Sequence, residues 1–587
     1  MNILIDEQHL EQMKGKLSNT IKGIDNIPDV FQVFAWEAGL GKSTHVNNSV
    51  AAYFDGFALK DNTKRFLIVK KFKSDVYETV ERLNQCEALK MYGGYSVIGL
   101  TSENVSNYSD DKIKGCMVLV ITHQRYIKAC DRELIHTFGD RDTLIIDEQV
   151  QFPITKFGRS EYNGMRKDIH LFEGQLLFDR CFSPLLRRLD EIYKEEDYNN
   201  IVTFKDTFEK DTLKDFKNWV KDKSKGDKRK KRYNEIIQSL DLLQSDTSEG
   251  LIHNDTLYLI DKSIRFRKLK NNIILDASAD ITPLYRIKDQ FTIVENRLCI
   301  NHSKSNVGFL KINTSKSSLK KNLDDIIRDV QNRLKNIKDK KRALLVCHKE
   351  NSSEIIAGIK KVLGDNVYIP KGEEEIEATQ SHAAVDWYGN IVGKNTYKDY
   401  DICLIIGTHN MPLPVYLLQF VQYNPKIDVC GFPQKMELKS GKFEDEKLEE
   451  FRKAFLAADF YQAARRIQRN QEPKASYILY TFDEDVVQTF VKKFNQLTNV
   501  FVLNSDNVVK PTLSTKDEKV IRILEFIRDD CAVGDVVPKK NISEALDIES
   551  SNLSRYLKHE LITNLVEQRH IEIRHKDVVK KTDFTLE

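Results

Sequence analysis

The stretch AWEAGLGKSTHV, Ala35 to Val46, comes directly after an apolar run, VFQVF, at Val30–Phe34. An apolar strand that opens into Gly39-x-Gly41-Lys42-Ser43-Thr44 has the pattern of a phosphate cradle. Glycines let consecutive backbone N–H groups face phosphate oxygens, the lysine reaches the β- and γ-phosphates, and the serine hydroxyl ligates Mg²⁺. One position departs from G-x-x-x-x-G-K-[ST]: the first glycine would fall at 36, where the chain has Trp36. A G-K-S triplet alone is common, so the rest of the chain must supply the groups that such a loop works with.

At 587 residues the chain has room for three or four domains of roughly 150 residues each. Hydrophobic residues make up 41% and charged residues 30%, an ordinary globular composition. With 91 Lys and Arg against 88 Asp and Glu the net charge is +3, so any site for a polyanion must be a local patch. The nine cysteines (Cys86, Cys116, Cys130, Cys181, Cys299, Cys347, Cys403, Cys430 and Cys531) form no C-x-x-C pair. That spacing argues against zinc and against a disulfide framework, and it suits a reducing cytoplasm. The opening MNILIDEQHLEQMKG has no basic region followed by an apolar one, and no apolar run approaches membrane length. Neither a signal peptide nor a membrane partner is expected.

Between residues 30 and 150, short β-rich runs (VFQVFAW, RFLIVKKF, YSVIGL, CMVLVITH, DTLIIDE) alternate with helical stretches. That alternation predicts an α/β domain with a parallel sheet. Residues 155–250 turn long, charged and helical before strand signals return at TLYLIDKS and NNIILDASAD, so this block reads as an insertion in a first domain spanning 1–300. A second α/β series, with RALLVCHKE, DICLIIGTH and ASYILYTF as strands, spans 301–508. Lys510-Pro511 marks a turn into a small tail, 511–587.

TLIIDEQV, Thr143–Val150, is an apolar strand ending in Asp147-Glu148. Alone it could be a strand closing in a solvated acidic turn. Paired with a P-loop about a hundred residues upstream it reads as a Walker B site, the aspartate holding Mg²⁺ through its water shell and the glutamate polarising the attacking water. FYQAARRIQRN places Gln462, Arg465, Arg466 and Arg469 on one short predicted helix, with Arg466 and Arg469 three apart on one face. Phosphoryl transfer needs a cation at the γ-phosphate, and a second domain supplying it would couple hydrolysis to closure.

In this order the pieces resemble a superfamily 2 helicase or translocase of the DExx-box, DEAD/DEAH-like kind. Gly39–Ser43 is similar to motif I and IDEQV to motif II. LDASAD, 275–280, resembles the S-A-T of motif III, with Asp280 for threonine, and QAARRIQR, 462–469, resembles Q-x-x-G-R-x-x-R of motif VI, with Arg465 for glycine. FLIVKKF and LVITHQRY fit motifs Ia and Ic, RALLVCHKE motif IV, and GKNTYKDYDICLIIGTHNMPLP the region of motif V. The resemblance implies two RecA-like domains with ATP and Mg²⁺ between them. It implies phosphate contacts from Gly39, Gly41, Lys42, Ser43 and Thr44, metal ligation by Ser43 and Asp147, and catalysis by Glu148, Gln462, Arg466 and Arg469. In motif Ic it implies nucleic-acid contacts from Thr122, His123 and Arg125. The insertion between motifs II and III also resembles the layout of repair-type iron–sulfur helicases, but only Cys86, Cys116 and Cys130 lie where a cluster takes four cysteines, so no cluster is expected.

The insertion's basic run, Lys221, Lys223, Lys225, Lys228, Arg229, Lys230, Lys231 and Arg232, reads either as a grip on phosphates or as a solvated face, and Trp219 and Tyr233 beside it either stack on bases or pack. In the tail, ISEALDIESSNLSRYLKHELI reads as helix–turn–helix with Asp547 at the turn, and HIEIRHKDV as a wing strand. It resembles a winged-helix domain, with Ser554, Arg555 and Lys558 toward DNA. The tail's 13 Lys and Arg against 15 Asp and Glu leave a protein-docking role open.

Together these readings point to an ATP-dependent DNA helicase or translocase, with a single strand in the motor channel and duplex or a specific site at the tail. Replication or repair proteins are the candidate protein partners, and the Lys- and Asn-rich composition suggests a phage, plasmid or other mobile element. The rival reading is an ATP-gated winged-helix regulator without unwinding activity. A packaging motor would need a two-metal carboxylate cluster in the second half, and none is evident.

Overall fold

Parallel strands with both faces covered must be apolar along their length, and FQVF, FLIVK, VLVIT and TLIID are buried at nearly every position. The computed structural model describes residues 2–57, 63–130, 138–169, 171–194, 210–223, 230–245, 248–253, 256–286, 289–295, 298–314, 316–335, 341–370, 381–391, 394–423, 438–439, 442–443, 445–503, 515–567 and 569–583. Its contacts divide the chain into two compact units, Met1–Ser505 and Asp506–Glu587.

Before Ile300 the strands are β1 (Phe31–Phe34), β2 (Phe66–Lys70), β3 (Val97–Leu100), β4 (Val118–Thr122), β5 (Thr143–Asp147), β6 (Thr155–Phe157), β7 (Ser248–His253), β8 (Thr256–Asp261), β9 (Asn271–Leu275) and β10 (Phe291–Val294). Seven of them form a parallel sheet in the order β10-β1-β9-β5-β2-β4-β3. Because all run the same way, the residues after β1, β2, β5 and β9 emerge at one edge. Open α/β sheets carry their ligands at that edge.

The inserted block is not purely helical. Helices Arg159–Asp168, Phe172–Lys194, Lys210–Lys223 and Lys230–Gln244 pack with a three-stranded antiparallel sheet, β6-β8-β7. TLYLIDKS therefore closes the insertion instead of rejoining the parallel sheet. The block has its own core, in which Trp219 and Tyr233 are buried with Phe178, Phe182 and Phe216, so both aromatics pack. Lys221 and Lys223 of the basic run are exposed, and residues 224–229 lie outside the described residues.

After Ile300 come β11 (Asn306–Leu310), β12 (Ala343–Cys347), β13 (Val367–Tyr368), β14 (Ala383–Trp387), β15 (Ile402–Ile406), the short hairpin β16 (Leu438–Lys439) and β17 (Lys442–Phe443), β18 (Ser476–Tyr480) and β19 (Asn499–Val502). The second parallel sheet has the order β13-β14-β12-β15-β18-β11-β19. Helix Leu413–Tyr423 ties the two halves of the unit. Tyr423 Oη donates to the Val150 carbonyl at 2.6 Å, its ring lies 5.0 Å from Phe266 and 5.8 Å from Phe291, and Gln422 Nε2 donates to the Pro153 carbonyl at 3.2 Å.

The second unit runs helix Thr515–Asp529, β20 (Val536–Pro538), helices Lys539–Leu546, Ser550–Tyr556 and Glu560–Glu567, β21 (Ile571–Ile573) and β22 (Asp577–Lys580). Its strands form an antiparallel sheet, β20-β22-β21, over a core that includes Ile523, Ile527, Ile542, Leu553, Ile562 and Val578. Asp547 makes the turn between two helices in left-handed backbone, φ 51° and ψ 52°, which Asp tolerates better than most residues. Among the described residues no helix is long and apolar enough to cross a membrane.

Tyr423→Phe should lower the stability of the first unit by about 1–2 kcal/mol, because it removes a buried donor and leaves a carbonyl behind. Denaturant unfolding of the full chain measures it; an unchanged midpoint would remove Tyr423 from the tie between the halves.

Candidate active site

The turn after β1 holds Gly39 at φ 101° and Gly41 at φ 73°, conformations that cost a side chain strain. Helix Lys42–Phe57 starts directly afterwards, so its unpaired N–H groups point out of the sheet edge, where anions are favoured. Trp36, in the place of the first glycine, turns inward: it is 1% exposed, edge-on to Phe34 at 6.3 Å and 5.7 Å from His45. Its carbonyl accepts from Lys42 Nζ at 2.8 Å, and the Glu37 carbonyl lies 3.4 Å away. Burial pulls the Lys42 ammonium down to about 8 against the support of Asp147 and Asp276.

Asp147 and Glu148 follow β5. Ser43 Oγ donates to Asp147 Oδ2 at 2.7 Å, and Lys70 Nζ, at the end of β2, donates to the same oxygen at 2.8 Å. Burial raises the Asp147 carboxyl, but Lys70, Ser43 and Lys42 outweigh it and hold the group below its ordinary value. Glu148 has φ 69°, left-handed backbone of a kind that concentrates at functional sites, and its N–H donates to the Leu275 carbonyl at 2.8 Å. Its carboxylate sits between Lys71 Nζ at 3.7 Å and Arg466 Nη2 at 3.8 Å. Asp75, in the same cavity, is pushed up to about 6 by burial and by Asp147 and Glu148, against Lys70.

The second half supplies the opposite wall. Helix Glu446–Ala464 carries Gln462 and ends at Ala464, so Arg465, Arg466 and Arg469 do not share the single helix that their spacing suggests. They lie in the turn beyond it, where Gln468 has φ 43°. Arg465, just past the helix end and wholly buried, sends Nη2 to the Ala38 carbonyl at 3.0 Å. Arg466 Nε donates to the Gln462 carbonyl at 3.1 Å, and Arg469 donates to Asn395 Oδ1. Burial, with Arg466 and Arg465 beside it, brings Arg469 down to about 9.

These groups enclose a cavity of about 350 Å³, whose lining includes Gly39, Gly41, Lys42, Ser43, Thr44, Asp147 and Glu148 from one half and Gln462, Arg466 and Arg469 from the other. The residues expected to touch nucleic acid in motif Ic stand elsewhere. His123 is buried beneath the acidic pair: its Nε2–H donates to the Asp147 carbonyl at 2.8 Å, and burial lowers the ring to about 4, so it is neutral. Thr122 Oγ1 accepts the Arg125 N–H at 3.3 Å and caps the following helix, and Arg125 is half-buried. In the second unit, Ser554, Arg555 and Lys558 are exposed.

Several residues escaped the motif reading. Glu37 Oε2 accepts the N–H groups of Cys299 and Ile300, at 2.6 and 3.0 Å, and so fastens the P-loop to the segment linking the two sheets. Lys493, buried in the second half, was also missed: it pairs with the motif III residue Asp280 at 2.6 Å. Lys70 and Lys71 end an apolar parallel strand, and that position at the ligand-bearing edge was the available signal.

No family model matches the sequence, and no curated protein matches it. Among solved structures the chain is similar to XPD in its apo form, at 14% identity and a TM-score of 0.52, over 85% of this chain and 100% of that one. It is also similar to Xpd4 of S. tokodaii, at 12% identity and a TM-score of 0.51, with the same coverage of 85% and 100%. At these identities the likeness is one of fold, two parallel-sheet domains of RecA-like kind.

Trp36→Gly restores the P-loop consensus but removes a buried core side chain. It should cost about 3–5 kcal/mol in denaturant unfolding, as large aromatic truncations do. A midpoint equal to the parent's would mean that Trp36 contributes nothing to packing.

Proposed function

We propose that this chain, which has the superfamily 2 helicase fold, is an ATP-dependent helicase or translocase acting on DNA. The observation that carries the reading is the two-sided cavity. A glycine turn, Lys42 and a helix N-terminus face Arg466 and Arg469 across a space that Asp147 and Glu148 also line. On this reading residues 1–300 and 301–508 are the two RecA-like domains, the first carrying the insertion, and 511–587 is a winged-helix domain.

The donor set fits Mg²⁺. Ser43 Oγ and Asp147 Oδ2 are hard oxygens 2.7 Å apart, and Mg²⁺ takes few protein ligands and keeps its waters. When bound it would neutralise phosphate charge beside these two groups. The protein's own residues do the rest. Gly39, Gly41 and Thr44 offer N–H groups to phosphate, and Lys42 leaves the Trp36 carbonyl to meet the β- and γ-oxygens. Glu148, aimed by its left-handed backbone, orients and deprotonates the attacking water. Arg466 and Arg469 stabilise charge that grows on the γ-phosphoryl group in the transition state. Gln462, which lines the cavity beside the two arginines, positions the γ-phosphate.

DNA as the nucleic acid is supported by the second unit, where Ser554, Arg555 and Lys558 are exposed on and just beyond the helix that follows the Asp547 turn. A strand-displacement assay separates the motor from an ATP-gated regulator, which would bind duplex without unwinding it.

Arg466→Ala and Arg469→Ala should each lower ATP turnover by about 10³-fold while changing nucleotide affinity little, because their charge counts most in the transition state. Lys42→Ala should instead lose nucleotide binding. Equal effects on binding in all three variants, by fluorescent-nucleotide titration beside steady-state hydrolysis, would refute the division of roles.

Replacing Arg555 and Lys558 together by Ala should weaken duplex binding and flatten its dependence on salt, because fewer counterions are released. Parent-like affinity and salt slope in fluorescence anisotropy would make this unit a protein-docking module.

A further inference from the structure

Lys70 is the last residue of β2, and the pairing of β2 with β5, Val69 opposite Ile146, carries it to the side of Asp147. Its side chain is 3% exposed, and Nζ lies 2.8 Å from Asp147 Oδ2. The same oxygen accepts the Ser43 hydroxyl at 2.7 Å. The lysine ammonium thus engages the oxygen assigned above to the metal, in a largely buried, charge-assisted contact. A divalent cation cannot approach that carboxylate closely while the ammonium stays, since two positive charges in a largely buried site repel. The ammonium has somewhere to go: Asp75 and Glu78 line the same cavity, as would the phosphate oxygens of a bound nucleotide.

We propose that Lys70 is a built-in counter-ion that competes with Mg²⁺ for Asp147, so that the metal enters together with a nucleotide whose phosphates draw the ammonium away. This deepens the reading given under Proposed function and rests on it. Lys70 is a positioning residue: it keeps Asp147 ionised and aligned with Ser43, and it sets the metal concentration at which nucleotide is captured.

The test is binding of a fluorescent, non-hydrolysable ATP analogue to the full chain at stepped free Mg²⁺ concentrations. Lys70→Met and Lys70→Gln should lower the half-saturating Mg²⁺ concentration about tenfold, the equilibrium equivalent of one charge-assisted hydrogen bond. Lys70→Arg, which keeps the charge, should stay near the parent. The glutamine keeps an N–H donor toward Asp147, so a folded variant is available should the methionine fail to fold; thermal unfolding checks both. An unchanged or higher Mg²⁺ requirement in the neutral variants would overturn the competition. So would loss of nucleotide binding in both the presence and the absence of Mg²⁺, which would make capture of the nucleotide depend on Lys70 itself and not on its release of Asp147. A parent chain that binds no nucleotide at any Mg²⁺ concentration refutes the ATPase reading itself, and this inference with it; the other two outcomes leave that reading standing.

Discussion

The peptide at Ala38 is gripped from the far half of the unit by both of its polar groups. Its N–H donates to Tyr461 Oη at 3.3 Å, and its carbonyl accepts from Arg465 Nη2 at 3.0 Å. Everything else about the site depends on this contact, because Ala38 is the residue before the first glycine of the phosphate turn. Holding it sets the distance between the P-loop and the arginines, and so the width of the cavity. Glu37, one residue earlier, accepts from the linker at Cys299 and Ile300, so hydrogen bonds tie the turn to the linker as well as to the second half.

The three departures from the helicase motifs acquire physical reasons in this light. Trp36 fills core volume below the turn while its carbonyl still serves the loop. Arg465 stands where motif VI has glycine and spends its length crossing to Ala38. Asp280 stands where motif III has threonine and pairs with Lys493, whose ammonium also lies 5.0 Å over the ring of Tyr461. Two of the three are thus links across the same junction. One link is an arginine bonded to a backbone carbonyl and the other an ion pair whose carboxylate is partly exposed, so both halves meet through directional polar contacts at this junction.

The sequence made the two parallel sheets, the glycine turn, the acidic pair and the arginine-rich segment legible, because each is a local pattern with a local cause. Apolar runs ending in Asp147 or in Gly39 must leave a parallel sheet at the same edge. Features decided by distant partners stayed hidden. Helical periodicity through residues 462–469 carried no sign that Arg465 would be drawn to Ala38, so the helix looked longer than it is. TLYLIDKS looks like any half-buried strand, and only the position of β6 and β7 assigns it to the insertion. The spacing of His123 carried no sign that its ring would be buried against the Asp147 carbonyl. Lys70 could be read as a surface charge until strand pairing brought it against Asp147.

The most direct test of the central claim, that a nucleic-acid-driven ATPase is assembled across this junction, is the steady-state ATP hydrolysis rate of the full chain, measured in parallel with no nucleic acid, single-stranded DNA, duplex DNA and RNA. The account predicts hydrolysis that single-stranded DNA stimulates above the unstimulated rate and above the rate with RNA. A chain that hydrolyses no ATP under any of the four conditions, with Mg²⁺ present, would contradict it.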